Sequence, residues 1–168
     1  MSRFDRCVDK LIEMEGGYSD HSSDRGGKTK YGITERTAKD HGYTGEMRDL
    51  TLEEAKDIYK TYWSDRFDDE DLLESVAGFF FDMRVNHGAG NAARIVQKAL
   101  VKLDKDVDVD GILGPATMAA LKEVGSSALD AMADERKAFY RAIVENDPSQ
   151  EVFLKGWLNR VEDAKNKY

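Results

Sequence analysis

The stretch from Phe4 to Gly17, FDRCVDKLIEMEGG, decides how the rest of the chain is read. Phe4, Cys7, Val8, Leu11 and Ile12 recur at the i, i+3, i+4 interval of an amphipathic helix. The pair Gly16 and Gly17 ends that helix and leaves Glu15 on or just past its last turn. Cys7 lies on the apolar stripe and reads as core filler; as the single cysteine it excludes an internal disulfide and suits a reducing compartment. From Tyr18 to Thr34 the helical period disappears. This segment is rich in Ser, Asp and Gly, and Lys28 to Ile33 fits a short β-hairpin.

Downstream the pattern returns to helix. Thr34 caps a brief helix that runs to about His41, with Gly42 as its stop. Thr51 and Glu54 form a Thr-x-x-Glu capping box, opening a helix whose stripe is Ala55, Ile58, Tyr59, Tyr62 and Trp63. Further helices are expected over 72–85 and 92–103, followed by a loop over 104–111. Pro115 stands at a first helical position, with Met118, Leu121 and Val124 behind it and Gly125 as terminator. Two last helices fit 128–144 and 148–165, carrying Phe139, Ile143, Phe153, Trp157 and Val161. The fold class expected is mostly α, an α+β arrangement: a helical bundle with a small hairpin or irregular lobe near residues 18–34.

The 168 residues suffice for one sizeable core or two small lobes sharing one. The net charge of -8 argues against nucleic acid, whose phosphates demand Lys and Arg, and against capture by anionic lipid. The longest apolar cluster, Val76 to Phe81, is interrupted by Gly78 and is too short to span a bilayer, so no membrane insertion is expected. The N-terminus carries charges every few residues and lacks the apolar run of a secretory signal. A cytoplasmic site of synthesis follows. His21, His41 and His87 have no ligand-like spacing, so neither a metal nor another cofactor is expected. No Ser/His/Asp or Cys/His arrangement stands out.

Glu15 is the candidate acid. A carboxyl at a helix C-terminus meets the negative end of the macrodipole, which disfavours its ionised form and suits it to donate a proton. The glycines after it let a bulky polymer approach the backbone. Asp20, Asp24, Thr29 and Tyr31 follow within one polar stretch. Glycoside hydrolysis needs a second carboxylate across the cleft, about 6.5–9.5 Å away for inversion or about 5–5.5 Å for retention.

Several motifs in order sharpen this. Glu15-Gly-Gly-Tyr18, then Asp24-Arg-Gly-Gly27, Thr29 and Tyr31-Gly-Ile-Thr34, resemble the signature of the glycoside hydrolase family 108 muramidases, which include phage endolysins. Phe81-Asp-Met-Arg-Val-Asn-His-Gly88 is similar to that family's Phe-Asp-x-x-Val-Asn-x-Gly segment, and the helix expected over Leu50 to Trp63 fits its Leu-Thr-x-x-x-Ala-x-x-x-Tyr pattern. The resemblance covers roughly residues 8 to 90. It implies Glu15 as catalytic acid, with Asp24 and Thr29 positioning water. Tyr18, Tyr31, Asn86 and His87 are candidate sugar contacts, since aromatic faces and amides suit carbohydrate edges. Ser22 and Arg25 stand where the family commonly has prolines, and Lys30 replaces a frequent Asn.

In the second half, Asp106, Asp108, Asp110 and Gly111 imitate the start of an EF-hand, but its twelfth position is Thr117, where a bidentate glutamate belongs, so calcium is not expected. Val109-Asp-Gly-Ile-Leu-Gly-Pro-Ala-Thr117 resembles instead the Asp-Gly-x-x-Gly-x-x-Thr turn of predicted peptidoglycan-binding helical domains, over about residues 91 to 165. Such a turn also serves simply to cap a helix. The organisation expected is a catalytic region over 1–90 and a peptidoglycan-binding-like region over 91–168, packed into one globule.

The resemblance implies a monomeric endolysin cleaving the β-1,4 bond between N-acetylmuramic acid and N-acetylglucosamine. It would accumulate in the host cytoplasm, be released by a separate holin-type protein, and act on bacterial peptidoglycan at the cell wall. A non-catalytic wall-binding scaffold and a lytic transglycosylase remain the alternatives. Lacking a basic patch, the chain should not depend on long-range electrostatic steering to the wall.

Overall fold

The computed structural model describes residues 1–20 and 27–168. They form two compact units, Met1–Trp63 and Ser64–Tyr168. The fold is mostly α, about 70% helical, with a small three-stranded antiparallel sheet, in keeping with a lysozyme-like α+β class.

In the first unit, α1 spans Arg3–Glu15. Ser2 caps it: the Asp5 amide donates to Ser2 Oγ at 3.1 Å, and the Ser2 amide donates back to the Asp5 carboxylate at 2.9 Å. The buried face is Phe4, Cys7, Val8 and Leu11, as the stripe demanded. Strands β1 (Ser19–Asp20), β2 (Lys28–Lys30) and β3 (Ile33–Thr34) pair antiparallel in chain order. Helix α2 (Glu35–Asp40) starts from the Thr34 cap. Helix α3 (Leu52–Lys60) opens with the reciprocal Thr51 and Glu54 bonds at 3.1 and 2.8 Å.

The stripe of α3 was expected to run through Trp63, yet the helix stops at Lys60. The Thr61 hydroxyl donates to the Ile58 carbonyl at 2.7 Å, and the Thr61 amide reaches the same oxygen, so the chain tightens into turns. Trp63 still enters the core from beyond the helix end, its ring edge-on to Phe4 at 5.6 Å.

The second unit contains α4 (Glu74–His87), α5 (Ala89–Lys102), α6 (Pro115–Val124), α7 (Ser127–Asn146) and α8 (Glu151–Lys167). Helix α7 packs against both α5 and α8, and α4 against α5. From Val76 to Met83 every residue of α4 is buried, the mark of a helix surrounded by protein. Each of Phe79, Phe80 and Phe81 contributes about 1.5–3 kcal/mol by leaving water. Gly78 interrupts that run for a packing reason. A Cβ there would lie 2.5 Å from the ring of Tyr168, so only glycine lets the last residue dock against α4. Gly88, at φ 83°, breaks the chain between α4 and α5.

Candidate active site

Glu15 is half-buried on the last residue of α1. The next residue, Gly16, turns to φ 85° and its amide still donates to the Ile12 carbonyl at 3.1 Å. The helix therefore ends abruptly, with the Glu15 side chain facing a hairpin turn. That turn joins β2 to β3, where Lys30 pairs with Ile33 and only Tyr31 and Gly32 lie between them. Both have positive φ, 54° and 81°, as a two-residue type I′ connection requires.

Gly32 is required twice over. Its φ suits glycine, and a Cβ on it would lie 2.6 Å from Glu15 Cβ and 2.7 Å from both Glu15 Cγ and the Tyr59 hydroxyl oxygen. Tyr31, at φ 54°, carries backbone strain that glycine would not. The Tyr59 hydroxyl offsets it by donating to the Tyr31 carbonyl at 2.7 Å. Tyr59 is itself buried within α3. Helix α3 thus tethers the turn, and the turn packs on the stem of Glu15.

Around this turn lie the other candidates of the first unit. Thr29 is the middle residue of β2, opposite Ser19 on one side and Thr34 on the other, and is half-buried. Tyr18 is exposed, with the Arg48 guanidinium 5.8 Å from its ring centre. Lys30 Nζ lies 5.4 Å from the Tyr31 ring centre and donates to the Arg48 carbonyl. Lys30, at the family's frequent Asn position, thereby braces the two candidate sugar-contacting tyrosines through Arg48. Asp24 falls within residues 21–26 and lies outside the described residues.

Tyr59 and Gly32 were not singled out by the sequence as site residues. Tyr59 reads there as a core anchor, which it also is. The available signal was the Tyr-Gly pair, which fits a two-residue turn between short strands.

Asn86 and His87 belong to the second unit, at the end of α4. Asn86 is exposed and donates to the Asp82 backbone carbonyl at 2.9 Å and to its carboxylate at 3.3 Å. His87 is half-buried between the rings of Phe139, at 4.8 Å, and Tyr140, at 5.1 Å. Its Nε2 accepts from Arg136 Nε at 3.0 Å, so the proton of the neutral ring sits on Nδ1. Burial, reinforced by the Arg136 charge and opposed by Asp82, pushes the His87 imidazole down to about 4.

Behind His87 stands Asp82, fully buried, which the sequence reading quoted within a motif without giving it a role. Its carboxylate accepts from Arg136 Nη1 and from Arg160 Nη2, each at 2.8 Å, and from the Tyr168 hydroxyl at 3.4 Å. The residue could have been found from its oddity, an acid inside an apolar helical run.

The Asp110 turn is equally well anchored. Asp110 Oδ1 accepts from the Ile112 amide at 3.0 Å and from Gln97 Nε2 at 2.8 Å. Those two bonds, and more weakly the charge of Arg94, hold the carboxyl below its ordinary range. Buried Gln97 also donates to the Ile112 carbonyl and the Thr117 hydroxyl, and its own oxygen accepts from the Gly111 amide at 2.9 Å. Every polar position of the motif is occupied in fixing the loop between α5 and α6.

Comparison with known proteins agrees with this architecture. The family model "Glycosyl hydrolase 108" matches residues 8–88, and "Predicted Peptidoglycan domain" matches residues 91–162. No curated protein matches the chain. Among solved structures, that of Brucella abortus SagA is similar, with a TM-score of 0.76 and 28% identity. The match covers 98% of this chain and 92% of SagA. The chain is thus similar over residues 8–88 to glycosyl hydrolase family 108, and over residues 91–162 to the predicted peptidoglycan domain family.

Proposed function

We propose that the chain is an N-acetylmuramidase, hydrolysing the β-1,4 bond between N-acetylmuramic acid and N-acetylglucosamine. A glycosyl hydrolase region followed by a predicted peptidoglycan domain supports a glycoside hydrolase that acts on peptidoglycan. The observation that carries the finer assignment is the contact of Glu15 with the Tyr31–Gly32 turn. A carboxyl at a helix end, its stem fixed by a tethered turn, is a preorganised proton donor.

In this mechanism Glu15 protonates the glycosidic oxygen as positive charge develops at the anomeric carbon. Asp24 and Thr29 hold the attacking water, giving inversion. Tyr18 and Tyr31 offer aromatic faces to the sugars, and Asn86 and His87 are further candidate contacts. The biological setting we propose is that of a phage endolysin. It is made in the host cytoplasm, released by a holin-type partner, and acts as a monomer on the wall, with residues 1–90 as catalytic region and 91–168 as wall-binding region.

The test is mass spectrometry of fragments released from purified peptidoglycan by wild type and by Glu15→Gln. Reducing-end muramic acid from wild type, with a loss of about 10²–10⁴-fold in the variant, is the expected result. Equal rates for the two proteins would refute the role of Glu15. Products ending in 1,6-anhydro sugars would mean a transglycosylase, and no products at all a binding module.

A further inference from the structure

We infer that the groove between α5 and α7 is a carboxylate-binding site for the peptide stems of peptidoglycan, with Arg94 as its principal receptor. This rests on the peptidoglycan reading above and concerns residues of the second unit to which no part in glycan cleavage is assigned.

The groove encloses about 180 Å³. Asn91, Arg94 and Lys98 of α5 line one wall, their three- and four-residue spacing placing them on one face of the helix. Ala138 and Ala142 of α7 line the other, small enough to leave the space open, with Phe139 beside them.

Its charge is unusual for this molecule. In a chain of net charge -8, Arg94 and Lys98 bring two cations to one groove, and neither forms a salt bridge with a described residue. Glu135 also lines the wall, but its carboxylate is already paired with Lys102. The groove is therefore locally positive, while the acidic whole repels long polyanions.

The Asp110 turn accounts for the position of Arg94. Gly111, at φ 77°, passes so close to the guanidinium that a Cβ there would lie 2.9 Å from Arg94 Cζ and 3.0 Å from Nη2. A Cβ on Gly90 would lie 3.3 Å from Nη1. The guanidinium is thus flanked by two glycines, and Gln97 locks Gly111 in place through its amide. A planar fork resting against this turn can meet a carboxylate with two parallel hydrogen bonds. The polar residues of the Asp-Gly-x-x-Gly-x-x-Thr turn hold the loop, and its first glycine seats the receptor.

The experiment uses the full chain and the free stem tetrapeptide of peptidoglycan, which carries no glycan for the catalytic cleft to hold. Binding is followed by calorimetry and by the Arg94 Nε resonance in NMR. Wild type should bind, Arg94→Gln should weaken binding at least about tenfold, and Lys98→Gln should weaken it about threefold. Lys155→Gln, an exposed control on α8, should bind like wild type, and so should Glu15→Gln. The same peptide with its carboxylates amidated should lose affinity for wild type to the level of Arg94→Gln. Undiminished binding by Arg94→Gln at wild-type thermal stability, or no binding by wild type, would overturn the proposal. So would undiminished binding of the amidated peptide. Peptidoglycan cleavage measured in parallel reports on the muramidase reading alone, so each can fail without the other.

Discussion

Two carboxylates, Glu15 in the first unit and Asp82 in the second, both sit on helices yet meet opposite surroundings. Glu15 ends its helix, is half-exposed, and touches a glycine turn under backbone strain. Asp82 lies inside its helix, wholly out of water, with Arg136, Arg160, Asn86 and Tyr168 around its oxygens. A buried acid with all its lone pairs engaged is committed to holding α4, α7 and α8 together. Glu15 stands at a helix end, half-exposed, with its stem packed on the Tyr31–Gly32 turn. The two acids differ in exposure and in place along the helix: one lies inside the fold among cations, the other at a helix end beside a turn.

The comparison breaks most visibly at Asp82. Asp82→Ala strands Arg136 as an uncompensated buried charge, which costs about 3–5 kcal/mol. For a chain of this size that lowers the melting temperature by roughly 10 °C. Activity per folded molecule should fall modestly, through Asn86, which Asp82 holds, and His87, which Arg136 holds. A melting temperature within about 2 °C of wild type would erase the contrast. Gly32→Ala tests the other side. The added methyl overlaps Glu15 Cβ and forces a non-glycine into φ 81°, so stability falls by about 1–3 kcal/mol. Hydrolysis should fall by about 10²-fold, because a misplacement near 1 Å at a reacting group has that effect. A wild-type rate of peptidoglycan solubilisation would mean that the turn does not position the acid.

Much of this was legible in the chain itself. The period of Phe4 to Ile12, the Thr34 and Thr51 caps and the glycine stops placed most helices within a few residues, because these signals are local. The end of α3 was not, since a hydroxyl from Thr61 overrode the apolar stripe. Within the site, Glu15 and its neighbouring glycines could be read from helix termination, and the hairpin from its turn residues. The tether from Tyr59 could not, because 28 residues separate it from the carbonyl it binds. His87 shows the same limit: its bond to Arg136 spans 49 positions, and no pattern near residue 87 announces it.

Smaller effects sharpen the comparison further. The folded chain holds His87 neutral down to about 4, whereas an unfolded chain protonates it near 6.5. Between those values the unfolded state binds the extra proton, so stability falls as the pH drops from about 6.5 to about 4, and this contribution flattens below. His87→Gln keeps an acceptor for Arg136 and removes the titration. Melting temperatures followed across that window should decline less steeply in the variant than in wild type. Identical slopes would show that His87 does not titrate as its burial demands.

The smallest change is Tyr59→Phe, which removes one hydroxyl and leaves the ring in the core. The lost bond to the Tyr31 carbonyl costs about 1 kcal/mol of stability. If the tether acts through Glu15, kcat falls several-fold while KM stays put, because the turn then fixes an acid used only in the transition state. If instead the Tyr31–Gly32 turn mainly grips the glycan, KM rises and kcat holds. The split between the two constants therefore decides whether the strain at Tyr31 serves the acid or the substrate, which the stability change alone cannot distinguish.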